Sequence, residues 1–170
     1  MRVLLPFTLV AMALLSGCGL QPMYAGGGNG AVARGMAAIE VGAIEGKSGW
    51  LVRNALVDRL GVAGAHGEAP RYRLDVRLDD RLEGFALLSD DTIGRERRTL
   101  RARYQLVDLS SDAIVLDDTA GSDAGVDVVS SEYATIAAEQ TALENLAREV
   151  ADRIAVDVAL SLRQSAAPAR

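Results

Sequence analysis

Arg71-Tyr72-Arg73-Leu74-Asp75-Val76-Arg77-Leu78-Asp79 is the stretch that decides how this chain folds. Apolar Tyr72, Leu74, Val76 and Leu78 alternate without a break with charged residues. Successive side chains of a β-strand point to opposite faces, so strict period two means a strand with one buried and one polar face. A second alternation follows: Leu100, Ala102, Tyr104 and Leu106 face one way, and Thr99, Arg101, Arg103 and Gln105 face the other. Leu82 to Leu88 extends the first of these strands irregularly past Gly84, and Ser89 to Gly94 reads as a polar turn. Leu109-Ser110-Ser111-Asp112-Ala113 is a tight connection to a further strand, which opens at Ile114 and reaches about Ala120. Gly121 to Val129, with Gly125 and two aspartates, reads as a loop.

On either side the period changes. Upstream, Met36 to Ile44 carries Ile39, Val41 and Ile44 among small residues and reads as a first strand. Gly46-Lys47-Ser48-Gly49 breaks it, with Ser48 as the expected N-cap of a helix over Trp50 to Leu60. Val52, Ala55, Leu56 and Leu60 form its apolar stripe, and Gly61 stops it. Val62 to Pro70 is a loop holding His66. Downstream, Ser130 or Ser131 caps a long helix to about Arg163. Its stripe is Tyr133, Ile136, Leu143, Leu146, Val150, Ile154, Val158 and Leu162. The order is β-α-β-β-β-α. A right-handed crossover makes strands one and two parallel, and strands two to four form an antiparallel meander. Each helix has one apolar stripe and each long strand one apolar face. The expected fold is therefore α+β: a two-layer sandwich, a mixed four-stranded sheet with two helices on one face and the other face polar.

The front of the chain supplies an address. Arg2 precedes an apolar run from Val3 to Leu15, too short to cross a bilayer, which closes on Leu15-Ser16-Gly17-Cys18. Small residues before the sole cysteine make a lipobox, whose thiol receives the acyl chains once residues 1–17 are removed. Residues 18–35 then read as the lipidated N-terminus and a Gly-rich tether, with Gly26-Gly27-Gly28-Asn29-Gly30 at its centre. Residues 36–163 form the folded domain and 164–170 a flexible tail. Gly19 stands where an aspartate often retains lipoproteins at the inner membrane, so delivery to the outer membrane, on the periplasmic side, is expected.

Charge and composition narrow the chemistry. The net charge of −5 becomes −6 once Arg2 leaves with the signal, a balance that argues against a general nucleic-acid binder. With one cysteine no disulfide framework exists, and one histidine with an acylated cysteine falls short of a usual zinc ligand set. His66 lies in a Gly/Ala loop, with no G-x-S-x-G motif anywhere to partner it. The carboxylate pairs Asp79/Asp80, Asp90/Asp91 and Asp117/Asp118 are sequence neighbours, so on strands they diverge to opposite faces. No enzyme is expected. What remains unusual is the arginine density of the meander: Arg71, Arg73, Arg77, Arg95, Arg97, Arg98, Arg101 and Arg103. Guanidinium groups bind phosphate bidentately, so such a row could hold a phosphorylated lipid headgroup. Cross-strand pairing with Asp75, Asp79 and Glu96 explains the same row as a solvated sheet face.

Taken in order, several parts of the chain resemble the LPS-assembly lipoprotein (LptE) family of the Gram-negative outer membrane. They are Cys18-Gly19-Leu20-Gln21-Pro22-Met23-Tyr24, the segment Trp50-Leu51-Val52-Arg53-Asn54-Ala55-Leu56, the Arg/Tyr-rich strand pair and the long C-terminal helix. The resemblance implies a non-enzymatic protein without cofactor. Such a protein plugs the large β-barrel subunit LptD, helps it fold and contacts lipopolysaccharide on its way to the outer leaflet. It implies acylation at Cys18, hence a membrane anchor, and no nucleic-acid partner. It points to Arg95, Arg97 and Arg98, at the start of the third strand, as candidate lipopolysaccharide contacts. Lys47, the only lysine, marks a departure from members that use lysine there. The competing expectation is a stand-alone periplasmic lipoprotein holding a lipid or small ligand, which requires an apolar cavity between helices and sheet.

Overall fold

The computed structural model describes residues 30–61, 69–87 and 93–166. The elements run α1 (Ala31–Ala37), β1 (Ile39–Val41), α2 (Gly46–Leu60), β2 (Tyr72–Leu87), β3 (Ile93–Asp108), β4 (Ala113–Asp127) and α3 (Glu132–Ala166). The sheet order is β1-β2-β3-β4, with β1 parallel to β2 and the other neighbours antiparallel. The mixed sheet and the α+β class are as the alternation required.

Register explains the core. Leu74 pairs with Leu106, Val76 with Tyr104, and Leu78 with Ala102, so up to the register shift after Gly84 the even-numbered positions of β2 and β3 fall on one face. That face is buried against α2 and α3: Leu74, Leu100, Tyr104 and Leu106 meet Val52, Leu56, Leu143, Val150, Ile154 and Val158 in one cluster. Burying side chains of this size contributes about 1.5–3 kcal/mol each, which is what holds the helices on the sheet. Tyr104 brings a polar group into the core, and its hydroxyl donates to Asp157 of α3 at 2.7 Å. Burial first, and that hydrogen bond second, push its ionisation above the ordinary tyrosine range. Arg59 of α2 pairs with Asp152 of α3 and ties the two helices together at the surface.

Four local expectations change. The order gains a helix at its front, α-β-α-β-β-β-α, because residues 31–37 form α1 where the tether was expected to continue. Met36 therefore belongs to a helix, and the first strand shrinks to Ile39–Val41. Gly35 makes the contact close: a Cβ there would sit 3.1 Å from Leu162 Cδ1, so a small residue lets α1 lie against α3. Ser48 lies inside α2, whose N-cap is Glu45, while Gly61 ends it at φ 88° as foreseen. The irregular extension of β2 past Gly84 is as expected: the strand runs to Leu87, with register shifts between Gly84 and Ala86 and between Ala86 and Leu87. β4 continues to Asp127, seven residues past its expected end, because Arg95 to Arg101 of β3 give it a ladder partner. Finally, Tyr133 and Ile136 are exposed, Tyr133 at 87%, although they continue the stripe of α3. Cys18, the lipobox, the tether to residue 29, His66 and the Asp90/Asp91 pair lie outside the described residues.

Candidate functional site

The second face of the sheet is covered by no helix among the described residues. It is built by the odd-numbered positions: Arg73, Asp75, Arg77, Asp79 and Arg81 on β2, and Arg95, Arg97, Thr99, Arg101, Arg103 and Gln105 on β3. β4 adds Asp117, Asp123 and Asp127 beside them. Parity thus sorts the three predicted contact residues. Arg95 and Arg97 share this open face, and Arg98 does not.

Arg98 faces the helices. Its Nε and Nη2 each donate to an Asp80 carboxylate oxygen at 2.9 Å, and Nη1 reaches the Glu139 carbonyl of α3 at 3.4 Å. The two side chains are only 17% and 21% exposed, so this fork ties the meander to α3. It is a structural bond. Arg101, which sequence reading placed on the polar face without singling it out, is the residue that joins Arg95 and Arg97. Period two alone would have found it.

Most cations of the open face meet carboxylates. Arg73 bridges Asp75 and Arg81 bridges Asp79 along one strand, while Arg95–Asp127 (2.7 Å), Arg97–Asp123 (3.8 Å) and Arg103–Asp117 (3.0 Å) cross from β3 to β4. Hydrogen bonds from Arg103, then Gln105, hold the Asp117 carboxyl below the usual carboxylate range. Arg77 and Arg101 are different: among the described residues neither side chain meets a carboxylate. Arg77 lies directly across from Arg103, and like charges in that position repel. β4 offers Gly121 opposite Arg101 and Gly125 opposite Arg97. A Cβ at Gly121 would stand 3.2 Å from Arg101 Cγ, so the glycine gives the arginine stem room to lie across β4.

The arrangement suits anions better than catalysis. No group of three or more His, Cys, Asp or Glu among the described residues is placed to hold a metal. A groove of about 700 Å³ opens where β1 ends, lined by Gly42 to Glu45, Ser48, Asp75 to Leu78, Arg103 and Gln105. A second, of about 420 Å³, lies between β4 and α3 around Gly121 and Arg153. Both lie at edges of the sheet, outside the packed core. No helix among the described residues is long and apolar enough to cross a membrane.

Residues 36–158 match the family model LptE, described as lipopolysaccharide assembly. Among solved structures, the chain is similar to a lipoprotein from Caulobacter crescentus at 28% identity and TM-score 0.66, over 82% of this chain and 100% of that one. It also shares its fold with rare lipoprotein B from Shewanella oneidensis (10% identity, TM-score 0.57, 75% and 97% covered). A minor lipoprotein from Acinetobacter baumannii is a further fold relative (14% identity, TM-score 0.51, 72% and 88% covered). No curated protein matches the chain.

Proposed function

The chain belongs to the LptE family of lipopolysaccharide-assembly proteins, and from that membership we propose that it works as a lipid-anchored plug of an LptD-like outer-membrane β-barrel. In this reading Cys18 carries the acyl chains on the periplasmic side, and residues from 19 to the start of α1 are the tether. The protein supplies no catalytic group or cofactor; it helps the barrel assemble and hands lipopolysaccharide toward the outer leaflet.

One observation carries the reading: a four-stranded sheet buries one face under two helices, and the other, uncovered among the described residues, is polar and rich in arginine. A solvated polar face is ordinary for an antiparallel sheet; in a member of this family it is also a face that a polar barrel lumen can enclose. On that face Arg101, with Arg95 and Arg97, is the proposed contact for lipopolysaccharide phosphates, since guanidinium forks bind phosphate in a bidentate way. Arg98 leaves the set, because register turns it to the helix-covered face, where it reaches Asp80 and the Glu139 carbonyl. The competing lipoprotein with an internal ligand is disfavoured by the packing between helices and sheet, where Val52, Leu56, Leu74, Leu100, Leu106, Val150, Ile154 and Val158 are fully covered.

The test uses the acylated chain extracted from native membranes. A barrel of outer-membrane size co-purifies with it, and depletion lowers the amount of assembled barrel. Unchanged barrel levels and unchanged lipopolysaccharide export on depletion defeat the plug reading. For the contact, Arg97→Ala/Arg101→Ala lowers lipopolysaccharide affinity by roughly tenfold, the loss of two partly screened charge-assisted contacts. Equal affinity retires the arginine assignment.

A further inference from the structure

We infer that the edge of β2 left unpaired among the described residues is a docking lane for an extended segment of the partner barrel, which adds to this sheet as a strand beside Val76 to Leu82. The inference rests on the plug reading and names how the partner is held.

The lane is visible in the hydrogen bonds. β1 pairs with β2 for only three residues, Ile39 to Val41 against Tyr72 to Leu74. Ala38 accepts from Tyr72 N–H at 3.1 Å, and Gly42 N–H donates to the Leu74 carbonyl at 3.0 Å. The chain then turns away into α2, while β2 continues to Leu87. Tyr72 and Leu74 thus direct their backbone groups toward β1, and the twofold repeat of a strand gives Val76, Leu78, Asp80 and Leu82 the same direction. Among the described residues no backbone hydrogen bond reaches this edge beyond Leu74. About 20 Å of edge is left with its donors and acceptors in a row, a template for another strand. The opposite edge of the sheet is treated differently. There Arg153 of α3 donates to the Gly121 carbonyl, and Ser122 donates to Glu149, so helix side chains reach over β4.

The groove of about 700 Å³ sits where β1 leaves its lane. Its walls define the occupant. On the core side stand Val76, Leu78 and Ile44, which favour a small or apolar side chain. On the open side stand Asp75, whose carboxylate Arg73 already engages, and the directly opposed cations Arg77 and Arg103, of which Arg77 meets no carboxylate among the described residues. A partner strand alternating an apolar residue inward with an aspartate or glutamate outward satisfies both walls and relieves the repulsion of the two arginines. Strand addition of this kind takes affinity from main-chain hydrogen bonds and specificity from alternate side chains.

The measurement is amide hydrogen exchange on the acylated full chain, alone in detergent and in its co-purified barrel complex. Val76, Leu78, Asp80 and Leu82 exchange about tenfold or more slowly in the complex than alone. The Arg77→Glu variant folds with an unchanged thermal midpoint and recovers about a tenth of the barrel. If the barrel co-purifies while these four amides keep their free rates, strand addition is wrong and the plug reading survives. If they are already slow in the chain alone, the lane is filled by the chain's own residues and the inference falls. If no barrel co-purifies, both readings fall together.

Discussion

On β3, Leu100, Ala102, Tyr104 and Leu106 are at or below 1% exposure, while Arg101 and Arg103 between them stand in solvent. The two faces share one backbone, one ladder and one set of neighbours. They differ in what covers them, and that decides what each residue is for. The even positions from Leu100 to Leu106 hold α2 and α3 in place; the odd positions from Arg95 to Gln105 turn away from the helices, toward carboxylates of the neighbouring strands and solvent. Arg97 and Arg98 make the point in two adjacent residues, one on the open face beside β4 and one forked onto Asp80 beneath α3.

The hardest test of the division is a pair of neighbours. Leu100→Ala removes a fully buried side chain and costs about 3 kcal/mol, within the range for large-to-small core changes. Arg101→Ala, one residue away, shifts stability by no more than about 0.5 kcal/mol. Urea unfolding of both variants reads the contrast. Comparable losses would show that the open face also stabilises the fold, and the functional reading of its arginines would lose its basis.

A smaller contrast separates the two adjacent arginines. Arg98→Ala leaves the Asp80 carboxylate partly buried without its fork and costs about 1–2 kcal/mol, with lipopolysaccharide affinity unchanged. Arg97→Ala leaves the unfolding midpoint within about 0.5 kcal/mol of wild type and weakens lipopolysaccharide binding. Thermal unfolding and a binding titration on the two purified variants give both readouts. A reversed pattern would mean that register does not sort these residues by role.

Much of this division is legible in the sequence, because a period of two needs no knowledge of partners. Tyr72 to Leu78 and Leu100 to Leu106 announce their buried face, and the stripes of α2 and α3 supply what covers it. The errors share a physical source. Gly121, Ser122, Asp123 and Gly125 have poor strand propensity, yet pairing with an already formed β3 carries them into β4, since strand preference depends on neighbours more than on the residue. Tyr133 and Ile136 keep helical spacing with the core residues but remain exposed, and spacing cannot tell a reader where its cover ends. The same limit applies to the site. Sequence shows a crowd of arginines, while only register reveals that Arg77 opposes Arg103 and that Arg101 lies across Gly121.

The smallest expected effect concerns acid, and it compares two carboxylates beside the β3–β4 turn. Asp108 closes the β3–β4 turn, accepting from the Ser110 hydroxyl and from the Ser110 amide at 2.9 Å, with Arg71 alongside. Those hydrogen bonds, the hydroxyl first, hold its carboxyl below the usual range, as Arg103 and Gln105 do for Asp117. A carboxyl whose folded value lies below its unfolded one contributes stability that is complete above the ordinary aspartate value of about 4 and is lost as pH falls through the folded value. Stability therefore stays level from neutral pH to about pH 5 and declines below about pH 4. The urea midpoint measured from pH 6 to pH 3 shows the decline, and Asp108→Asn or Asp117→Asn each makes it shallower. Arg103→Ala flattens it as well, by removing the largest cause acting on Asp117, and leaves the Asp108 contribution in place. A decline just as steep in both aspartate variants would move the origin of acid sensitivity away from these two groups and toward the carboxylates between the helices, where Asp152 meets Arg59.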